Sequence, residues 1–412
     1  MKRVIIYGFG EAGKQVADDI LKNGNYKIVG FLDDDKNKWN LEYKNIKVIG
    51  DINSIGKLKN IDSLIIAMPS ASIQRIREIE MLSLRLGIKD IKIVPSYYVK
   101  EDRVFLKHVV EIDIFDVFKK REMQIDYEAL KLFYENKNIL ITGGAGSIGS
   151  YLVKEVLNFN VRKVIAMDID ETRLYELSND LDDDRLIIYL GDITDDYCLY
   201  DVFQNHIDLV FHCAAYKHVP ILENFEYMAY KVNFIGTKKL VEFSKRNGIK
   251  KFVFISTDKA VEPTSIMGKT KSIAEDLVIE NNYIAVRFGN VIGSRGSLIP
   301  TILKQVQKGY VKITHKDAKR YFITPKEAVL LVLYSPIISN GGDILILDMG
   351  EPINVRSAIE NLLKLLGYEP YKDIQIIFTD LRKGEKLEEK LFSDNETIEA
   401  TENPYIYKVK KL

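Results

Sequence analysis

Short apolar runs recur along the chain, each closed by glycines and followed by a segment with apolar positions at helical spacing. The first run, Arg3 to Tyr7, meets the turn Gly8-Phe9-Gly10-Glu11-Ala12-Gly13. Lys14 to Lys22 continues as an amphipathic helix, and Lys27 to Leu32 is the next strand, ending at Asp33-Asp34-Asp35. The unit returns further on: Asn138 to Ile141 is the strand, Thr142 to Gly149 the turn, Tyr151 to Phe159 the helix, and Lys163 to Met167 the strand ending at Asp168. Strands that read as near-continuous Val, Ile and Leu are buried on both faces, the habit of parallel sheets covered by helices. The doubled strand–turn–helix–strand pattern therefore predicts an α/β chain with two doubly wound parallel-sheet domains.

The first unit continues with an apolar strand at Asp62 to Met68, a helix from about Ser72 to Leu86, and a strand at Ile91 to Val94 stopped by Pro95. That sets a first domain over 1–100. Residues 101–136 are charged and amphipathic, carry no Gly-rich turn, and read as a connector with helical pieces. The second domain, 137–412, adds strands at Asp208 to His212, Lys250 to Ile255 and Tyr283 to Arg287. After about Gly293 it mixes loops, helices and short strands, as a substrate-capping subdomain would.

Charge narrows the partners. Lys+Arg and Asp+Glu both number 59, so the formal net charge is zero. That argues against nucleic acid or an anionic membrane as a partner, and leaves room for a local basic site. The two cysteines, Cys198 and Cys213, lack metal-ligand spacing and read as reduced thiols, with no metal site expected. No apolar run approaches the roughly 18 residues of a membrane span, and a strand begins at Val4 with no room for a signal peptide. A cytoplasmic protein without a membrane span is expected.

Residues Thr142-Gly143-Gly144-Ala145-Gly146-Ser147-Ile148-Gly149 contain T-G-x-x-G-x-x-G between a strand and a helix. Glycines there let the backbone turn tightly and approach a pyrophosphate, which rests on the helix N-terminus. Asp168 follows the last of these glycines by about 20 residues, the distance at which a second strand brings a carboxylate to an adenosine ribose. A carboxylate accepts the ribose 2′-hydroxyl and repels a 2′-phosphate, so NAD is expected rather than NADP. Asp192 and Ile193 end the next strand, where a carboxylate could hold the adenine amino group. Ala214 and Ala215 follow the fourth strand, and small residues there let a cofactor lie across the sheet edge.

Thr257, Asp258 and Lys259 follow the fifth strand at its carboxyl end, where doubly wound folds bind ligands. Met267 and Lys271 are four residues apart and share one helix face, which turns Lys271 toward the nicotinamide ribose.

Beyond these local readings, residues from about 100 to 412 resemble the UDP-N-acetylglucosamine 4,6-dehydratases of bacterial polysaccharide and glycan assembly, which are NAD-binding extended short-chain dehydrogenases. The segments that carry the resemblance are 212–220 (HCAAYKHVP), Ser256 to Val261 with Met267-Gly268, Arg287-Phe288-Gly289-Asn290-Val291, Arg320-Tyr321-Phe322, 347–352 (LDMGEP) and 381–386 (LRKGEK). The 347–352 segment and an N-terminal nucleotide-fold domain favour the large, configuration-retaining branch. The resemblance implies two Rossmann-like domains, the second an extended short-chain dehydrogenase with a substrate-capping subdomain, acting as a homo-oligomer on a UDP-sugar. Large members usually begin with membrane helices, and this chain shows no such run. An extended short-chain dehydrogenase normally has Tyr where Met267 stands.

By the resemblance, Asp258 is the acid for the departing 6-hydroxyl, Lys259 the base at carbon 5, and Thr257 a partner of the 4-hydroxyl, with Lys271 completing the catalytic set. Asn290, Arg295, Arg320, Arg382 and Glu385 are carried over as the nucleotide-sugar clamp, because Arg forks suit a diphosphate and Glu385 can accept from uridine ribose hydroxyls. Lys217 and Asn233 are placed near the sugar or a catalytic water. A 5-inverting dehydratase, an epimerase of the same fold, and a non-catalytic NAD and nucleotide-sugar sensor remain as other readings. In the first domain, Gly8, Gly10, Gly13 and Asp33 outline a possible second nucleotide pocket, set against a purely structural role.

Overall fold

The computed structural model describes residues 2–58 apart from 25, 61–68, scattered residues between 71 and 93, and 123–412 apart from 295, 307, 366 and 367. The chain divides into two compact units, residues 1–119 with 360–374, and residues 120–359 with 375–412.

The first unit is built on a six-stranded sheet in the order Glu42–Tyr43, Ile46–Gly50, Tyr26–Leu32, Lys2–Tyr7, Ser63–Ile66, Asp90–Ile93. All neighbours are parallel except the first pair. Alternation along the strands supplies two cores. Val4, Ile6, Phe31 and Ile65 face the helix Glu11–Asn23 through Val16, Ala17 and Ile20. Ile5, Tyr7, Leu32, Leu64 and Ile66 pack on the other side. The helix expected near Ser72 to Leu86 lies largely outside the described residues, as does the connector up to residue 122. Of the connector's remainder, Tyr127–Tyr134 is a helix whose N-cap, Asp126, accepts from the Glu128 and Ala129 amides.

The second unit holds a nine-stranded sheet. Seven parallel strands run in the order Leu186–Leu190, Lys163–Asp168, Asn138–Thr142, Leu209–His212, Lys251–Ile255, Ile284–Arg287, Asp343–Leu347. The antiparallel pair Ile406–Lys411 and Glu396–Ala400 extends it. Both faces are covered: Ile139, Ile141 and Phe211 belong to one core, Leu140, Ile165 and Val210 to the other. One cover is the helix Pro325–Ile338, started by Pro325 and a Thr324–Glu327 capping box and apolar all round from Ala328 to Leu333. Short paired strands follow residue 289: Asn290–Val291 with Phe322–Ile323, Tyr310–Ile313 with Gln375–Phe378, and Lys319–Arg320 with Ile353–Asn354. No helix among the described residues is long and apolar enough to cross a membrane.

Strand order reverses between Asn138–Thr142 and Leu209–His212, whose neighbours lead away in opposite directions. Doubly wound sheets open a ligand crevice at the carboxyl ends of such a pair.

Candidate active site

The glycine turn sits at that crevice. Gly143 has φ +66°, and a Cβ there would stand 2.7 Å from the Ala214 amide nitrogen. A Cβ on Gly149, at the start of the helix Gly149–Val156, would meet the Gly143 carbonyl at 2.0 Å. Strand, turn and helix therefore close on each other only without side chains at these two positions. Asp168 is bound into the same turn: Oδ2 accepts from the Ala145 amide at 3.0 Å and Oδ1 from the Asp170 amide at 3.1 Å. Asp192 accepts from the Thr194 amide at 2.7 Å, and Ile193 is buried beside it.

Beneath the turn, His212 bridges Thr142 Oγ1 (2.7 Å from Nδ1) and Thr237 Oγ1 (2.8 Å from Nε2). The Thr237 hydroxyl donates to the Asn233 carbonyl, so it accepts from His212 Nε2–H, and Nδ1 accepts from the Thr142 hydroxyl. Burial, then the Lys271 charge, hold the ring well below its ordinary pKa, in keeping with this neutral tautomer. The turn of the cofactor strand is thereby tied to the π-helical stretch Tyr230–Gly236, whose Asn233 clamps Tyr216 by accepting from its amide (2.8 Å) and donating to its carbonyl (3.0 Å).

A cavity of about 320 Å³ joins this turn to the chemical residues. Ser147 and Ile148 of the turn, Ala215 after the fourth strand, and Thr257, Lys259, Met267, Lys271 and Asn290 all line it. A dinucleotide fits such an arrangement: a helix N-terminus and small residues at one end, a polar chemical cluster at the other.

Lys271 projects from the helix Ile266–Glu280. Its Nζ donates to the Ile255 carbonyl at 2.5 Å and stands 3.7 Å above the Phe254 ring. Burial lowers its pKa to about 7, against the opposing pull of the Glu275 charge. Burial likewise pushes the neighbouring Cys213 thiol up to about 12. Met267, one turn before Lys271, lines the cavity with an apolar side chain packed among Val219, Leu222 and Ala229.

Thr257 caps the short 3₁₀ turn Asp258–Ala260 that ends the strand Lys251–Ile255. Its hydroxyl donates to Asp258 Oδ1 at 2.8 Å, and Lys259 Nζ donates to the same oxygen at 2.9 Å and to Asn290 Oδ1 at 3.3 Å. Asp258 is fully buried and does not form the cavity wall; its link to the cavity runs through Thr257 and Lys259. Among the described residues Asp258 Oδ2 has no hydrogen-bond partner, and it faces the bare Gly289.

The expected clamp residues fare differently. Asn290 and Lys217 line the cavity, whereas Asn233 is buried in the Tyr216 clamp just described. Arg320 donates to the carbonyls of Lys319, Lys386 and Leu387, which fastens the 386–388 segment beside the site. Arg382 is exposed and lies 3.9 Å from Glu385. Arg295 is outside the described residues. Sequence reasoning missed the buried network in which Ser256 donates to Glu275 (2.5 Å) and Arg287 pairs with both Glu275 (2.5 Å) and Glu396 (2.9 Å). Glu275 could have been found, since it stands four residues after Lys271 on one helix face. Glu389, also missed, gives no local sequence signal. Among the described residues no cluster of three His, Cys, Asp or Glu could hold a metal.

In the first unit, the turn repeats the backbone logic. A Cβ on Gly13 would meet the Gly8 carbonyl at 2.0 Å, and Gly8, at φ +111°, approaches Ala67. Asp33 accepts from the Phe9 and Asp35 amides (2.7 and 2.9 Å), as Asp168 does in the second unit. It also meets an ammonium, Lys38 Nζ, at 3.1 Å, a contact Asp168 does not have among the described residues. Gly10 is the N-cap of the following helix.

A doubly wound sheet with a glycine turn at its switch point and a buried lysine beside the fifth strand defines an extended short-chain dehydrogenase fold. Comparison with known proteins agrees. Residues 139–411 match a family described as "Polysaccharide biosynthesis protein", and residues 1–94 match "C2185-like, N-terminal". The chain belongs to the polysaccharide biosynthesis protein family. It is 34% identical over 415 residues to capsular polysaccharide biosynthesis protein CapD of Staphylococcus aureus, covering 96% of this chain and 69% of that protein. It is 33% identical over 276 residues to a UDP-N-acetylglucosamine 4,6-dehydratase (inverting) of Campylobacter jejuni, covering 64% and 80%. Among solved structures, Pen from Bacillus thuringiensis aligns with a TM-score of 0.63 at 29% identity, over 68% of this chain and 88% of that one.

Proposed function

We propose that the protein is an NAD-dependent 4,6-dehydratase of UDP-N-acetylglucosamine, producing UDP-2-acetamido-2,6-dideoxy-4-hexulose with configuration retained at carbon 5. The observation that carries this is the hydrogen-bonded Thr257–Asp258–Lys259 set opposite a buried Lys271, with Met267 where an epimerase wants a phenol. A protein that only oxidised and re-reduced one carbon has no use for an additional acid and base.

Gly143, Gly146 and Gly149 with Ser147 and Ile148 hold the pyrophosphate of NAD, Asp168 the adenosine ribose, Asp192 and Ile193 the adenine, Ala214 and Ala215 the sheet-edge passage, and Lys271 the nicotinamide ribose. Bound NAD supplies the hydride chemistry, from carbon 4 and back to carbon 6. The 4-ketone acidifies the carbon-5 proton, and Lys259 Nζ takes it. The C5–H electron pair becomes the C5=C6 bond as the C6–O bond breaks. The leaving hydroxyl takes a proton from Asp258 and departs as water. Because Asp258 is buried behind Thr257, that proton passes through the Thr257 hydroxyl. When carbon 4 is oxidised, the 4-hydroxyl proton passes through the Thr257 hydroxyl to Asp258, and this is the proton that Asp258 gives to the leaving hydroxyl; Lys259 returns its own proton to carbon 5, so both groups end as they began.

Incubation with UDP-N-acetylglucosamine, read by mass spectrometry and proton NMR, tests the reading. Loss of one water with a new 6-methyl signal is expected, and the ring couplings report retention. An unchanged mass with interconverted 4-epimers would replace the dehydratase by an epimerase.

A further inference from the structure

Glu389 lies between the strands Gln375–Phe378 and Glu396–Ala400, about 130 residues after Lys259. It is only 4% exposed. Its Oε1 stands 3.9 Å from Lys259 Nζ and its Oε2 3.7 Å from Lys386 Nζ. Oε2 makes no hydrogen bond among the described residues. Lys386 is itself fixed by a 2.6 Å bond to the Val261 carbonyl. Lys259 thus meets two buried carboxylates, Asp258 and Glu389, each with an oxygen that makes no hydrogen bond among the described residues. Burying a carboxylate so poorly solvated is costly, and packing alone gives no reason to place one here.

The geometry points to Glu389 as a positioning residue for the elimination, one whose charge holds the proton on Lys259 between its removal from carbon 5 and its return. The inference rests on the dehydratase reading. As Lys259 takes the carbon-5 proton it gains a positive charge, while Asp258 gives up its proton and gains a negative one. Glu389 attracts the new ammonium from a water-poor site, where such attraction is stronger than in bulk solvent. With Asn290 and Asp258 it also fixes where Nζ stands, so the proton goes back from the place that took it.

Three full-length proteins test this: the parent, Glu389→Gln and Glu389→Asp. Glu389→Gln keeps the shape and removes the charge. Its kcat for water loss is expected to fall by about 10- to 100-fold with KM within about threefold of the parent. Reduced cofactor is expected to accumulate when substrate is added, because the hydride step outruns the elimination. Glu389→Asp is expected to recover most of the loss. Wild-type turnover in Glu389→Gln, or equal losses in both variants with a lowered Tm, would overturn the inference.

A second arm is independent of turnover. Acylation of Lys259 at fixed pH, mapped by peptide mass spectrometry against exposed lysines, is expected to run several-fold faster in Glu389→Gln. Equal rates would overturn the role of Glu389 even if the parent is a dehydratase. A parent that loses no water would instead sink the dehydratase reading, with the acylation rates still deciding whether Glu389 governs Lys259.

Discussion

In the proposed reaction the Thr257 hydroxyl carries the proton of the buried Asp258, while Lys259, the other cavity residue bonded to that carboxylate, acts as the base. Thr257→Val is nearly isosteric and removes only the hydroxyl. Its kcat is expected to drop about 100-fold, the scale of a lost proton-transfer partner, with Thr257→Ser close to the parent. Equal turnover in the valine variant would mean that Asp258 reaches the substrate by another route. Lys271 allows a different test. Burial sets its folded pKa at about 7, below the value of about 10.4 for an unfolded lysine. Between those values the unfolded chain holds a proton that the folded chain lacks, so stability rises with pH across that window. In cofactor-free protein, the unfolding free energy of the parent minus that of Lys271→Met should increase by up to ~4 kcal/mol from pH 7 to 10. Urea titrations at several pH values measure it, and a flat difference would contradict the buried amine.

At the scale of elements, the Glu275–Arg287–Glu396 network joins the helix Ile266–Glu280, the strand Ile284–Arg287 and the antiparallel strand Glu396–Ala400. Removing Arg287 leaves two buried carboxylates without their cation. Arg287→Met should therefore cost about 3–5 kcal/mol, seen as a Tm lower by roughly 6–20 °C in calorimetry. A shift under a degree or two would mean that the network contributes little. Such elements also show what could be read in advance. The strands at 138, 163, 209 and 251 were legible because unbroken apolar runs between glycine turns leave a parallel sheet as the simplest arrangement. Thr257, Lys259, Met267 and Lys271 could be brought to one crevice because they all follow one strand end, Ile255, within sixteen residues. The burial of Asp258, the commitment of Arg320 to three carbonyls and the approach of Glu389 were not legible. Each depends on how segments distant in sequence fold back, 66 and 67 residues away for Arg320 and 130 for Glu389, and no local periodicity encodes that.

At the scale of the whole molecule, two glycine turns raise the question of two bound nucleotides. In the first unit the ribose-seeking carboxylate, Asp33, is already matched by Lys38, while Asp168 accepts only from amides among the described contacts. Equilibrium dialysis of the full chain is expected to give one NAD per polypeptide; a second equivalent would return the first unit to nucleotide binding.

The fold-back of residues 375–412 on to the Lys259 side of the sheet also has a consequence in time. The glycine turn leaves the ribosome about 240 residues before Glu389 does. At 5–20 residues per second this is an interval of roughly ten to fifty seconds. During it a nascent chain can hold the cofactor turn without its complete proton-handling machinery. The order of synthesis thus makes the glycine turn before every group assigned to proton transfer in the proposed reaction, with Glu389 the last of them.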